Sequence, residues 1–459
     1  MSNPGSADNT VITGIQDLVG YIAAGCKQPS AYSIGTEHEA FGFHLDTLTP
    51  PAYETVNGKP GIQALLRVIQ DLEGQTPITD NGNIIGLQAD GASLSLEPGG
   101  QFELSGGMMR TLHETKRELD KHIARIKRLG PALGLGFMPL GFHPTATRAG
   151  MPFMPKGRYK IMRDYMPKVG TLGLDMMLRT CTVQVNLDFS SEQDMVTKMR
   201  VASTLQPLAT AMFANSPFME GRPTGYLSNR AQIWTDTDKA RTGIPPIIFN
   251  RSFGFESYVE WLLDVPMYFV YRDGVYHDVA GASFRDFMAG RLPGAMAGVY
   301  ATIGDFADHI TTAFPDVRLK RYIETRGADS GSPAMMLAQS AFWTGIFYDP
   351  AALAAADELC RNISYEKILD LRAAVPKTGI HTEFRDGTLR SLARDAVLIA
   401  DQGLRNRDYT NEDGLDERLY LSPLHHIAAG APTQAEYWLN RYHNHWDRNI
   451  TKIFAEAAF

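Results

Sequence analysis

The chain has 459 residues, 44% of them hydrophobic and 21% charged, with a formal net charge of −7. That balance fits an ordinary globular protein, and the mild acidity excludes a basic nucleic-acid-binding face. Three widely separated cysteines (Cys26, Cys181 and Cys360) without a CxxC pair exclude a zinc ribbon or a disulfide framework and fit a reducing compartment.

Length alone suggests about three domains at ~150 residues each, but no Pro/Gly/Ser linker, fixed-period repeat or low-complexity tract divides the chain. Residues 1–10 are expected to be a flexible tail and residues 11–459 one domain. The opening MSNPGSADNT lacks the basic and apolar regions of a signal peptide and the arginines of a transit peptide, so the expected location is the cytoplasm. No apolar run approaches the ~20 residues of a membrane helix, so no membrane partner is expected.

In chain order, TVITGIQDLVGYIAAGC has apolar residues at helical spacing (Val11, Ile15, Leu18, Val19, Ile22). GTEHEAFGF then reads as a short extended segment. Its two acids, Glu37 and Glu39, sit one residue apart and so project to one side, while His38 points to the other. SLSLEPGGQFELS reads as a hairpin turning at Pro98-Gly99-Gly100, which sets Glu97 opposite Gln101 and Ser95 opposite Glu103 on one face. The stretch from Met109 to Leu135 is an amphipathic helix (Leu112, Leu119, Ile123, Ile126) ended by Gly130-Pro131.

TCTVQVNLDF is the cleanest strand: Cys181, Val183, Val185, Leu187 and Phe189 form an apolar face, and Thr182, Gln184, Asn186 and Asp188 a polar one. The following helix is expected to break or bend at Pro207. RLKRYIETR alternates as one strand, with Arg318, Lys320, Tyr322, Glu324 and Arg326 on one side. Residues 389–459 read as mostly helical. A hairpin and strands not joined by single crossover helices predict an α+β fold, an antiparallel or mixed sheet with helices on its outer face.

The strand acids Glu37, Glu39, Glu97, Glu103 and Glu324 therefore gather on polar faces with Gln184, Asn186, Arg318, Lys320 and Arg326. Carboxylates from several strands suit hard divalent cations, which take oxygen ligands; guanidinium groups suit phosphate. A solvated, salt-bridged outer face would explain the same pattern. The chain has no Walker A motif, no kinase HRD or DFG set and no HExxH. Cys181 lies on an apolar face and makes a poor nucleophile. Met108–Met109 and Met176–Met177 read as core, with some lining of a pocket.

GTEHEAFGF, GGQFELSG, RYKIMRDYMPKVGTLGLDMMLRTCTVQVNLDFSSE, QIWTDTDKARTG, SFGFESYVEWLLDVPMYFVYR, RLKRYIETRGAD and FRDG, in that order, resemble the glutamate–cysteine ligases of plants and many proteobacteria. The resemblance runs from about residue 10 to the C-terminus. It implies the curved antiparallel sheet, a funnel wrapped by helices, of the glutamine synthetase and guanido kinase superfamily. It also implies ATP-dependent joining of the L-glutamate γ-carboxylate to the L-cysteine amine through an acyl phosphate, the first step of glutathione synthesis. By resemblance Glu37, Glu39, Glu103, Gln184 and Glu324 are metal ligands, with Glu97 a further one, holding roughly two or three Mg²⁺ ions. Arg326 is the γ-phosphate partner and, with Glu97, the catalytic pair. Arg318 and Lys320 join Arg326 at the nucleotide; Arg230 holds the glutamate α-carboxylate. Arg163 faces the anionic ligands, and Tyr268 or Tyr271 lines a cysteine pocket. A monomer or weak homodimer is expected. A ligase with a different amine acceptor, a metal-dependent hydrolase and a nucleotide sensor are the alternatives; the hydrolase would need neither ATP nor Arg326.

Overall fold

A computed structural model describes residues 8–459. Residues 1–7 of the expected tail lie outside the described residues. Residues 8–10 are tied down, since the Ile303 and Gly304 N–H groups donate to the Thr10 and Asp8 carbonyls at 2.9 Å each.

The centre is one nine-stranded sheet. Its strands are β1 (Ile34–His44), β2 (Thr76–Asp80), β3 (Asn83–Ala89), β4 (Ala92–Leu96), β5 (Phe102–Ser105), β6 (Leu135–Met138), β7 (Thr182–Leu187), β8 (Val317–Leu319) and β9 (Ile323–Asp329). The order is β8-β9-β7-β1-β5-β4-β3-β2, with β6 on the last part of β1, and every pairing is antiparallel. The expected α+β class with an antiparallel sheet is what the chain forms.

The β4–β5 hairpin has the expected register, Ser95 opposite Glu103 and Leu96 opposite Phe102. Gly100, at φ +81°, occupies the left-handed turn position that a side chain would strain. The segment 318–326 differs from expectation. It is not one strand but a tight hairpin, in which Leu319 pairs with Ile323 and Arg318 with Glu324, leaving Lys320-Arg321-Tyr322 as the turn. A three-residue turn keeps residues of equal parity on one face, so Arg318 and Glu324 still share a side, now as directly opposed partners.

Helices cover the apolar face. Val185, Leu187 and Ile323 pack into a core with Met195, Met199 and Leu205 of the helix Glu192–Met212 and with Phe342 and Ile346 of the helix Pro333–Phe347. Phe41, Phe43, Leu96 and Phe102 form a second core with Ile62, Leu65, Leu66 and Ile69. Ser191 caps the first of these helices, and of the break or bend expected at Pro207 there is no break: the helix is continuous from Glu192 to Met212. Almost every residue from Met195 to Met212 is buried, so packing on all sides holds the segment helical despite the lost backbone donor. Among the described residues no helix is long and apolar enough to cross a membrane.

Candidate active site

Strand pairing carries the acids to one place. Antiparallel register sets Glu39 opposite Glu103 and Glu37 opposite Gln184, while β7 faces β9 with Asn186 opposite Glu324. Directly opposed residues share a face. That face lines an open cavity with Glu37, Glu39, Glu97, Gln101, Glu103, Thr182, Gln184, Arg318 and Arg326. The polar face is thus not a solvated surface: Glu37, Glu103 and Gln184 are 5%, 3% and 5% exposed, and Glu324, at 0%, is sealed beside the cavity. Buried ions at such positions demand partners.

The partners divide the site in two. Glu324 is gripped by Arg318 at 2.7 Å, Arg326 at 2.7 Å and Lys320 at 3.0 Å. Against the cost of burial these cations, Arg318 foremost, hold its carboxyl well below the usual carboxylate range. Arg326 Nη1 also donates to the Gln184 carboxamide oxygen, and Arg318 Nη1 donates to the carbonyls of Thr311 and Ala313. So side-chain cations, not metal alone, answer the charge of Glu324.

The opposite half is acid-rich. Burial, then Glu97 and Glu103, pushes the Glu39 carboxyl well up. Burial, with Glu97 and Glu37, pushes Glu103 up to about 7. The hydroxyls of Ser105 (2.6 Å) and Ser95 (3.1 Å) donate to Glu103, the Thr182 N–H donates to Glu39 at 2.9 Å, and the Tyr159 hydroxyl donates to Glu97 at 3.1 Å. Carboxylates raising one another's proton affinity are the donor set that a hard divalent cation relieves. Among the described residues no three acidic, histidine or cysteine side chains already surround a single point, so ion binding there requires the carboxylates to turn toward a common centre.

Not every residue expected at the site reaches it. Lys320 sits in the β8–β9 turn, acts through Glu324 and does not line the cavity. Arg163 is a correction: the helix Gly157–Tyr165 turns Arg158, Tyr159 and Met162 inward, and Arg163, about 100° on from Met162, is 43% exposed, paired with Asp164 and stacked on Phe153. Tyr268 is also a correction. It is fully buried, with its ring under the Arg241 guanidinium at 3.9 Å and its hydroxyl near the Met166 sulfur. Tyr271 lies on the hairpin Phe269–Asp278, packed on Tyr276, and does not line the cavity either. The sequence block carrying both tyrosines shows no register relative to the sheet, and only packing settles where they point.

Arg158, Tyr159, Trp234, Thr311 and Phe314 line the cavity without having been expected there, whereas Met176 and Met177 give it the methionine lining the sequence suggested. The i, i+4 spacing of Arg158 and Met162 within the family-like block is the signal that could have marked that helix face. Arg230, 3% exposed, projects from the short helix Asn229–Ile233 and donates to the Arg326 carbonyl at 2.9 Å. It forms, with Arg326, Trp234 and Phe314, the wall shared with a second, smaller cavity.

A sequence profile described as glutamate-cysteine ligase family 2 matches residues 33–456. The chain belongs to the glutamate–cysteine ligase family. It is 48% identical to glutamate–cysteine ligase B of Oryza sativa subsp. japonica over 97% of the chain and 87% of the rice protein. Identity is 49% to the Nicotiana tabacum enzyme over 97% and 83%, and 48% to the Arabidopsis thaliana enzyme over 97% and 83%. The fold is shared with a crystal structure of a glutamate–cysteine ligase from Francisella tularensis in complex with AMP, at a TM-score of 0.52 and 10% identity over 93% of this chain and 88% of that one. A bifunctional glutathione synthetase from Pasteurella multocida aligns at a TM-score of 0.51 and 12% identity, over 96% of this chain and 54% of that one. The expected cytoplasmic location is overturned: these plant relatives are named as chloroplastic enzymes.

Proposed function

We propose that the protein is an ATP-dependent ligase joining the γ-carboxylate of L-glutamate to the amine of L-cysteine through γ-glutamyl phosphate. The observation that carries this reading is the two-part charge layout of one open cavity lined by buried side chains, acids Glu39, Glu97 and Glu103 facing guanidinium groups of Arg326, Arg318 and Arg230, in a chain of this family. A carboxylate is a poor electrophile, so the γ-phosphoryl group of ATP is transferred to it. The cysteine amine then attacks the activated carbonyl and phosphate leaves. Two anions, triphosphate and carboxylate, must meet first, and electrostatic stabilisation is the main demand on the protein.

Arg326, which bridges Glu324 and Gln184 at the cavity wall, is placed to meet the transferring phosphoryl oxygens, with Arg318 completing the positive side. Arg230 takes the glutamate α-carboxylate. Glu39, Glu97 and Glu103, with Glu37 beside them, would hold Mg²⁺, and the three cations on Glu324 leave fewer acids for metal to neutralise than a five-carboxylate site would. Bound Mg²⁺ would supply neutralisation of phosphate oxygens. Residues 11–459 act as one catalytic domain in this reading, as a monomer or weak homodimer that sedimentation velocity resolves.

The test is ADP release from purified protein with ATP, Mg²⁺ and L-glutamate, with and without L-cysteine. Cysteine-dependent release is expected, and release indifferent to cysteine rejects the reading. Replacing cysteine with other amines separates this ligase from one with another acceptor.

A further inference from the structure

Asp329 ends β9, opposite Thr182 of β7, and is 3% exposed. It does not line the cavity. Its carboxylate nonetheless takes three hydrogen bonds, two from Asn215 and Ser216, which follow the helix Glu192–Met212, and one from Ser228, the N-cap of the helix that carries Arg230. The Asn215 N–H (2.8 Å) and the Ser216 hydroxyl (2.6 Å) donate to Oδ2; the Ser228 hydroxyl (2.8 Å) donates to Oδ1.

Each serine passes the contact on. With its single proton committed to Asp329, the Ser216 oxygen accepts from the Arg230 backbone N–H at 3.1 Å, and the Ser228 oxygen accepts from the Ala231 backbone N–H at 3.1 Å as the N-cap of the helix. Among the charged neighbours of Arg230, Asp329 is the strongest in favour of its buried cation. The guanidinium itself is held at one corner, by the Arg326 carbonyl, while its Nε finds no acceptor. Room for the carboxylate depends on Gly141, where a Cβ would overlap the Asp329 side chain.

We infer that Asp329 is a positioning residue for Arg230, and so sets the preference for an amino-acid substrate that carries an α-carboxylate. The assignment rests on the functional reading above, in which Arg230 binds that group. A carboxylate is required at this position because three donors converge on it. An amide has one acceptor oxygen and would turn an N–H₂ toward one of the serine or backbone donors, rotating a serine and releasing the turn that aims Arg230.

The experiment compares the wild-type protein with D329N, R230A and R230A/D329N, following cysteine-dependent ADP release. D329N is expected to raise KM for L-glutamate about tenfold, the effect of roughly 1.4 kcal/mol, while KM for ATP moves less than about twofold. The preference for L-glutamate over 4-aminobutyrate, which lacks the α-carboxylate, should fall by the same factor, and the double variant should be no worse than R230A. Should D329N fold poorly, S228A keeps the carboxylate and loosens one relay; a rise of about threefold in the same KM is expected. A lower kcat with unchanged KM and unchanged preference, or effects that add to those of R230A, would show a merely structural role and overturn the assignment. Wild-type protein without cysteine-dependent turnover sinks the functional reading and this assignment with it; wild-type turnover with an unmoved KM in D329N sinks this assignment alone.

Discussion

Replacing Glu103 by glutamine should stabilise the metal-free protein while disabling it. Glu103 titrates at about 7 in the fold against an ordinary 4.5, because it is buried and faces Glu97 and Glu37. Each pH unit between those values is worth about 1.4 kcal/mol, so holding the side chain ionised in the folded apo protein costs about 3 kcal/mol. The folded carboxyl keeps its proton to higher pH than the unfolded one. The cost is therefore small near pH 4.5, grows as pH rises and is complete above about pH 7. Glutamine keeps the shape, accepts from the Ser105 hydroxyl and donates to that of Ser95 once the latter rotates. Urea unfolding in EDTA should show E103Q more stable by up to about 3 kcal/mol at about pH 8.5 and by less than about 1 kcal/mol at about pH 5. Ligase turnover should fall by about 10²-fold or more with the loss of a metal carboxylate. Equal destabilisation at both pH values would refute the reasoning, because it would mean that Glu103 is a satisfied structural acid and not a charge held for a cation.

Four further outcomes can be checked. Arg326→Ala should lower kcat roughly 10³-fold in the ADP-release assay; retained turnover would favour water-activating chemistry instead. Arg163→Ala should change activity less than about twofold and stability by about 0.5 kcal/mol or less, since the side chain faces solvent. Tyr159→Phe removes a buried hydroxyl that accepts from Lys156 and donates to Glu97 and should cost about 1–2 kcal/mol in unfolding free energy, with a fall in turnover. His143, whose Nδ1 accepts from the Ala146 N–H, and His309, whose Nε2 donates to the Leu262 carbonyl, are buried neutral, pushed down to about 3 and about 4. The unfolded chain protonates first, so their contribution is present above about pH 6.5 and is lost as pH falls, at about 1.4 kcal/mol per pH unit for each; because Glu103 gains stability over the same range, the check is a difference, and an H143N variant whose unfolding free energy changes between about pH 6.5 and 5 just as the wild type's does would contradict this.

Strand alternation was legible wherever polarity and period agreed. Cys181, Val183, Val185 and Leu187 are buried on the apolar side, and Thr182 and Gln184 line the cavity on the other, because a period of two is fixed by backbone geometry. The Pro98-Gly99-Gly100 turn fixed its own register through local backbone preferences. The hairpin at 318–326 was misread as one strand because a three-residue turn preserves parity, so the pattern of charges is identical in both conformations. Arg163, Tyr268 and Tyr271 carried the right chemistry in the right blocks, yet their direction depends on how one helix and one hairpin dock. No local pattern encodes that.

What the amino-acid order determined by itself is therefore which residues share a strand face and which chemistry they can support, since both follow from interactions within a few residues of chain. The tertiary structure alone decided that Glu324 is answered by three side-chain cations while Glu39 and Glu103 are left pushing each other's protons up. Charge balance in a buried cavity is a sum over strands far apart in sequence, and it exists only once their register is set.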